Sequence, residues 1–185
     1  MSQLLAGKEV AFLVATEGVE QVELTDPWDA LVAEHAQPSI VSTEFGTIQA
    51  FNQLDKADVF DVDAVVDSAE SSEYDALVLP GGVANPDFLR MNSGAVAFAQ
   101  SFFDAGKPVA VICHGPWTLV EAGVVAGRTL TSWPSLRTDI TNAGGTRVDD
   151  EVVVCTAGPN TLLSSRNPDD LPAFCAKLID TVATA

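Results

Sequence analysis

Cys113 is the residue of this chain whose surroundings most favour covalent chemistry. It follows the short apolar run Val109–Ile112 and precedes His114, Gly115 and Pro116. A β-branched run of that length is typical of a strand buried on both faces. Proline suits the first position of a helix, where its missing N–H would have no partner anyway. The pattern predicts a strand, a one-residue corner at Cys113, and a helix.

This placement would make a thiol reactive. Side chains at the carboxyl end of a buried parallel strand face the crevice where α/β folds bind ligands. The start of a helix and nearby donors can lower a cysteine pKa from about 8.5 to roughly 3.5–7.5. The arrangement resembles the nucleophile elbow of hydrolases, with Cys113 in place of serine. The local residues also fit a buried cysteine that merely ends a core strand.

Acidic residues follow the first strand pattern, at 9–15. The segment 16–22 is expected to be a loop, with Glu20 within it and Glu23 just beyond. Pro27 suits the first turn of the helix that follows. If Glu20 and Glu23 lie on one helical turn, they share a face, because they are three residues apart.

Two glycines follow another strand pattern, at 75–79. Gly81 and Gly82 come directly after Pro80. Glycines just past a strand let backbone N–H groups approach a ligand. If this strand neighbours the one that ends at Cys113, the glycine loop would lie beside the thiol. An ordinary turn from strand to helix is the other interpretation of the same residues.

The strands alternate with helices along the chain. This predicts an α/β fold, a three-layer sandwich whose mostly parallel, flavodoxin-like sheet carries helices on both faces, plus a small β-hairpin. We expect one domain over residues 1–185. Further strands are expected at 39–42, 151–155 and 161–165, and helices at 92–105, from Trp133-Pro134 to about Asn142, and at 169–184.

The charge of the chain excludes some partners. The formal net charge is −17, with 26 acidic and 9 basic residues. Nucleic acids and anionic membranes both require basic surface, so neither is an expected partner. Residues 1–8 lack the basic and apolar regions of a secretory signal, and no apolar run is long enough to span a membrane.

The cysteines indicate a reducing compartment. Cys113, Cys155 and Cys175 are far apart, odd in number, and lack metal-ligand spacing. We therefore expect neither a disulfide framework nor a metal site, and a cytoplasmic location. Cys155 and Cys175 are interpreted as packing residues.

Several motifs recur together in one known family. They are Leu79-Pro80-Gly81-Gly82, Gly106-Lys107-Pro108-Val109, Ile112-Cys113-His114-Gly115-Pro116, Thr131-Ser132-Trp133-Pro134, Asn142-Ala143-Gly144 and Ser164-Ser165-Arg166. In order and spacing they resemble the PfpI family of intracellular protease I-like and general stress proteins. That family belongs with the parkinsonism-associated deglycase and has a class I glutamine amidotransferase-like fold. The resemblance covers nearly the whole chain.

The resemblance implies a nucleophilic Cys113 in a strained backbone conformation. It implies that an acid touches the thiol; Glu23 matches the usual glutamate of the family, and Glu20 is the neighbouring acid. A protonated carboxyl there would donate to the thiolate and lower the thiol pKa further.

The resemblance also implies donors around the substrate. The N–H groups of Gly82 and His114 would form an oxyanion site. Gly81 and Trp117 are the other candidates for substrate contact. No cofactor is expected.

Three functions are compatible with these residues. The first is a cysteine-dependent hydrolase that acts on small reactive carbonyls, or on their adducts with protein side chains, as in the deglycase and glyoxalase-type members. The second is a cysteine peptidase whose His114 is oriented by an acid from a partner subunit. Asp87, in an expected loop at Pro86-Asp87, matches the position of that acid, and a homodimer or higher homo-oligomer is expected. The third is an oxidative-stress sensor that uses Cys113 without turnover.

Overall fold

The computed structural model describes residues 4–185, and the first three residues of the segment 1–8 lie outside it. The strands are β1 Glu9–Leu13, β2 Glu17–Glu20, β3 Gln37–Ser42, β4 Thr47–Asn52, β5 Asp55–Asp61, β6 Ala64–Val65, β7 Ala76–Leu79, β8 Val109–Ile112, β9 Thr129–Leu130, β10 Thr146–Arg147, β11 Val152–Cys155 and β12 Leu162–Ser165. The helices are α1 Gln21–Ala33, α2 Ala84–Met91, α3 Ser93–Asp104, α4 Pro116–Glu121, α5 Arg137–Asn142 and α6 Leu171–Ala183.

Seven strands form the central sheet, in the order β11-β12-β8-β7-β1-β3-β6. Every neighbouring pair is parallel except β11 and β12, which form an antiparallel hairpin at one edge. The five inner strands β12, β8, β7, β1 and β3 have the order of a flavodoxin-like sheet. The predicted α/β class, the parallel sheet and the hairpin are confirmed.

Helices cover both faces because the inner strands are apolar on both sides. On β1, Ala11 and Leu13 face one core, which also contains Phe98 and Phe102 of α3. Val10 and Phe12 face the other core, which contains Leu24 of α1 and residues of α6 such as Phe174 and Leu178. Among residues 4–185, no helix is long and apolar enough to cross a membrane.

The segment expected as a loop at 16–22 is instead ordered structure. Its first residues form β2, which pairs with β4 in a separate sheet of β2, β4 and β5. Alternating apolar residues at 47–51 and 59–66 predict a small β excursion, but nothing in the sequence indicated the partner strand β2.

Helix α1 begins at Gln21, so Pro27 lies inside it and not in its first turn. The expected position of Pro27 in the first turn is therefore wrong. Proline removes one N–H from the helix ladder. The early start places Glu23 in the first turn, where its carboxyl reaches the N–H of Gly81 just past the end of β7.

Pro86 and Asp87 lie in α2, not in the expected loop. Asn85 precedes them, and its side chain is fully buried. It accepts the N–H of Ala15 at 2.7 Å and donates to the carbonyls of Pro80 and Gly81 at 3.0 and 3.1 Å. These bonds fix the glycine loop between β7 and α2.

Candidate active site

The backbone of Cys113 is held in the left-handed region, with φ of 61°. Non-glycine residues rarely adopt this conformation, and it costs on the order of 1–3 kcal/mol. Two bonds hold it: the Cys113 N–H donates to the Ser165 carbonyl at 3.1 Å, and its carbonyl accepts the Trp133 N–H at 2.9 Å. The corner spans three residues, Cys113 to Gly115, and not one as expected. Pro116 opens α4 at its first position, as predicted.

The glycine loop lies against this corner, as the strand order requires. A side chain at Gly81 would meet Cβ of Cys113 and Oε2 of Glu23, both at 2.6 Å. Gly82 has φ of 81°, and a side chain there would collide with the carbonyl of Gly18. These contacts explain why glycine occupies both positions.

Glu23 is completely buried beside the thiol. Its Oε2 accepts the N–H of Gly81 at 2.8 Å, and its carboxyl interacts with the side chain of Cys113. Burial raises the pKa of Glu23 from 4.5 to about 8. At neutral pH the carboxyl therefore keeps its proton. The predicted contact between this acid and the thiol is present.

The electrostatics of Cys113 differ from the expectation. Burial raises the pKa of its thiol, and an ionised Glu23 raises it further, whereas the N–H groups of Gly82 and His114 lower it. The strand–helix corner predicted a lowered pKa for the Cys113 thiol, and this prediction is wrong. Because the Glu23 repulsion exists only when that carboxyl is charged, the two groups titrate as one coupled site.

His114 lies close to the thiol although the two residues are adjacent in sequence. Its Nδ1 is 3.2 Å from Sγ of Cys113. Burial lowers the pKa of His114 from 6.5 to about 4, so the imidazole is neutral at pH 7. The ring stacks on Trp133, with centroids 5.5 Å apart, and is tilted against Trp117 at 5.4 Å.

Cys113 opens into a cavity of about 500 Å³. Glu20, Glu23, Gly82, His114 and Trp133 are among the residues that line it, together with Val22, Gln53, Leu54, Val83 and Pro168. The cavity is large enough for a small organic molecule. Its acidic side chains are Glu20 and Glu23, and no Lys or Arg within residues 4–185 is among the lining residues, so a phosphate would find no cationic side chain there.

Three predicted contacts are placed differently. The N–H of Gly81 is occupied by Glu23 and is not free for a substrate oxygen. Trp117 lies outside the cavity lining, and its Nε1 donates to Asp139 at 2.8 Å. Glu20 lines the cavity rim, where its carboxylate accepts the N–H of Gln53 at 3.0 Å rather than touching the thiol.

Asp87 lies exposed on α2. Within residues 4–185, no hydrogen bond joins it to His114 of the same chain. The structure therefore brings together Cys113, His114, Glu23 and Gly82, and leaves Asp87 facing outward.

The sequence-based candidates omitted Trp133, Gln53, Leu54 and Asn85. Trp133 belongs to the motif Thr131-Ser132-Trp133-Pro134, so the sequence could have indicated it as a site residue. No sequence pattern marks Gln53 and Leu54, which lie at the tip of the β4–β5 hairpin.

Among residues 4–185, no three or more His, Cys, Asp or Glu side chains are placed to hold a metal ion.

Three curated proteins are similar to nearly the whole chain. A deglycase of Pyrococcus horikoshii is 43% identical over 92% of this chain and 97% of its own. General stress protein 18 of Bacillus subtilis is 41% identical over 91% and 94%. A candidate cysteine protease of Bacillus subtilis is 36% identical over 90% and 94%.

The fold and the sequence agree on one family. The crystal structure of Drosophila melanogaster DJ-1beta superposes with a TM-score of 0.81 and 25% identity, covering 100% of this chain and 92% of that one. Residues 8–181 match the DJ-1/PfpI family. The chain therefore belongs to the DJ-1/PfpI family.

Proposed function

We propose that this protein is a stress-related cysteine hydrolase that acts on small reactive carbonyls, such as glyoxal and methylglyoxal, or on their early adducts with protein side chains. Relatives named as deglycases and as a general stress protein support a hydrolytic, stress-related role. The finer assignment rests on the site itself.

The observation that carries this proposal is the buried Glu23 carboxyl beside the Cys113 thiol. Burial raises the pKa of Glu23 to about 8, so it can both give and receive a proton near neutral pH. An effective general acid and base has a pKa near the working pH. A carbonyl oxygen needs such a donor when sulfur adds to its carbon.

The chemical step then balances as follows. Sγ of Cys113 attacks the carbonyl carbon, the S–C bond forms, and the π bond of the carbonyl breaks. The N–H groups of Gly82 and His114, which already face the sulfur, stabilise the developing oxyanion. The carboxyl proton of Glu23 passes to that oxygen, and the thiol proton replaces it on Glu23.

The cavity fits this substrate class. Trp133 and Leu54 supply apolar walls, Glu23 supplies a protonated carboxyl, and Glu20 lies at the rim. A neutral dicarbonyl enters such a site without the repulsion that an anion would meet. An adduct on arginine or lysine is attracted by the carboxylate of Glu20 at the rim.

The direct test is methylglyoxal consumption by the purified protein and by Cys113→Ser. We expect the variant to lose activity, with Cys175→Ser as the matched control that retains it. Cys175 lies half-buried on α6, away from the cavity lining. Equal consumption by Cys113→Ser and the parent protein would refute the proposal.

A cysteine peptidase is the second candidate, favoured by the 3.2 Å separation of Sγ of Cys113 and Nδ1 of His114. This function needs an acid to orient the imidazole. Asp87 is exposed on α2 beside Val83, Phe88 and Met91, three exposed apolar side chains. Such a face fits a second copy of the chain, which would bring its own Asp87 toward this site.

The variant Asp87→Asn distinguishes the two candidate functions. A peptidase should lose peptide cleavage in this variant, whereas consumption of methylglyoxal should persist. An absence of peptide cleavage by the parent protein, measured on an unfolded protein substrate, would remove the second candidate.

A further inference from the structure

A second cysteine, Cys155, lies next to the buried Arg128 at the β11 edge of the central sheet. Cys155 ends β11 and is 6% exposed, and Arg128, just before β9, is 3% exposed. Within residues 4–185, no Asp or Glu forms an ion pair with Arg128. A buried guanidinium without a carboxylate is costly, so its remaining neighbours must satisfy its charge.

The neighbours of Arg128 accept hydrogen bonds from only some of the N–H donors of its guanidinium. One terminal nitrogen donates to the side chain of Asn160 at 2.9 Å, and the other to the carbonyls of Cys155 and Asn160 at 3.0 and 2.9 Å. The third donor, Nε–H, is buried without a hydrogen-bond partner. Gly158 closes over the group, since a side chain there would meet a terminal nitrogen at 2.5 Å.

Arg128 donates to the carbonyl of Cys155, and its side chain also interacts with the thiol of that residue. The sulfur accepts the N–H of Thr129 at 3.4 Å, on the strand that follows Arg128. Burial raises the pKa of the Cys155 thiol, but the N–H of Thr129 and the Arg128 side chain lower it by more, so the pKa lies below its ordinary value. A sulfur anion here would supply the charge that Arg128 lacks.

We propose that Cys155 is a second oxidation site, at which a hydroperoxide converts the thiolate to a sulfenic and then a sulfinic acid whose negative charge Arg128 balances. The thiolate attacks one peroxide oxygen, an S–O bond forms, the O–O bond breaks, and the second oxygen leaves as hydroxide. Sulfur is oxidised by two electrons and the peroxide is reduced by two. A second equivalent of peroxide repeats the step to give the sulfinic acid.

The small exposed area sets the class of oxidant. Hydrogen peroxide is compact and uncharged, so it can reach a residue that retains 6% of its surface. The site is independent of the chemistry proposed for Cys113, because the two thiols share no partner residue.

The chain provides an internal control in Cys175. Burial and the charge of Asp26 raise the pKa of that thiol to about 11. In Cys113→Ser protein treated with hydrogen peroxide at neutral pH, peptide mass mapping should find oxygen on Cys155 at least about ten times faster than on Cys175, since rates follow the thiolate fraction. Equal rates, or no oxygen on Cys155, would overturn the proposal.

The role of Arg128 is tested by Arg128→Gln and by Asn160→Asp in the same background. The second variant keeps the arginine but gives it a carboxylate partner at the 2.9 Å contact, so it is informative even if the first does not fold. Both should slow the oxidation of Cys155 by several-fold and leave Cys175 unchanged. An unchanged Cys155 rate in a folded variant would show that Arg128 does not support the site.

Discussion

Oε2 of Glu23 accepts the N–H of Gly81 at 2.8 Å, while the same carboxyl interacts with the thiol of Cys113. One buried side chain thereby fixes the glycine loop and shares a proton with the candidate nucleophile. Gly81 precedes Gly82, whose N–H faces the sulfur. The positions of the acid, the glycine loop and the thiol therefore depend on one another. Changes at any of the three should affect the other two.

The reactivity of Cys113 should follow the proton shared with Glu23. Loss of the Glu23 proton near pH 8 leaves a carboxylate that opposes ionisation of the thiol, so the alkylation rate of Cys113 should stay low through pH 8 and rise only above it. In Glu23→Gln the amide carries no charge and this repulsion is removed, so the midpoint should fall and the rate at pH 8 should rise relative to the parent protein. Iodoacetamide labelling followed by peptide mass analysis measures both; an unchanged midpoint would contradict the shared proton.

Gly82→Ala should damage both stability and reactivity. Its φ is 81°, and the added methyl would collide with the carbonyl of Gly18. Gly123 has φ of 71° with no atom within 4 Å of an added methyl, so Gly123→Ala carries the backbone strain alone. We expect about 1–2 kcal/mol of destabilisation for Gly123→Ala, a larger loss for Gly82→Ala, and slower labelling of Cys113 only in the latter. Urea unfolding and thiol labelling would show this; equal losses would refute the steric argument.

Trp133 should contribute to substrate binding, and Trp117 should not. Trp133 lines the cavity and stacks on His114, whereas Trp117 is anchored by Asp139 outside the lining. Trp133→Ala should lower kcat/KM for methylglyoxal by about two- to tenfold, mainly through KM, because an aromatic contact is worth about 0.5–1.5 kcal/mol. Trp117→Ala is the matched comparison, because it also removes a ring that packs on His114 but leaves the cavity lining unchanged. A loss confined to Trp117→Ala would reverse the assignment.

The fold was predictable from the sequence because its signals are local. The apolar runs of β1, β7 and β8 each contain enough residues to identify a strand buried on both faces, and Pro116 marks the start of α4. β2 was missed because Glu17–Glu20 is acidic and short, and it becomes a strand only through pairing with β4.

The sequence predicted which residues meet in the site, but it did not predict their protonation states. Glu23 and Cys113 were expected to meet, and they do. The thiol pKa was expected to fall because local motifs reveal the helix start and its donors, while burial by distant segments leaves no local trace. The same limitation applies to Gln53 and Leu54, which reach the cavity from the tip of the β4–β5 hairpin.

The buried Glu23 also has a consequence for stability, whose sign is fixed by its pKa. This pKa is raised from 4.5 to about 8 on folding, so between these values the unfolded chain has lost a proton that the folded chain keeps. Stability from this group is therefore complete below about pH 4.5 and is lost as the pH rises toward 8. His114 acts oppositely, because its pKa falls to about 4; its contribution is lost as the pH decreases.

Glu23→Gln should therefore stabilise the protein at neutral pH although it impairs the site. The amide can still accept the N–H of Gly81 but has no proton to lose, so the gain over wild type should be small at pH 5 and about 3 kcal/mol at pH 7, roughly 5–10 °C in Tm. His114 is present in both proteins, so its effect cancels in the difference. A Tm difference for Glu23→Gln that is constant from pH 5 to pH 7 would show that Glu23 is ionised in the folded protein.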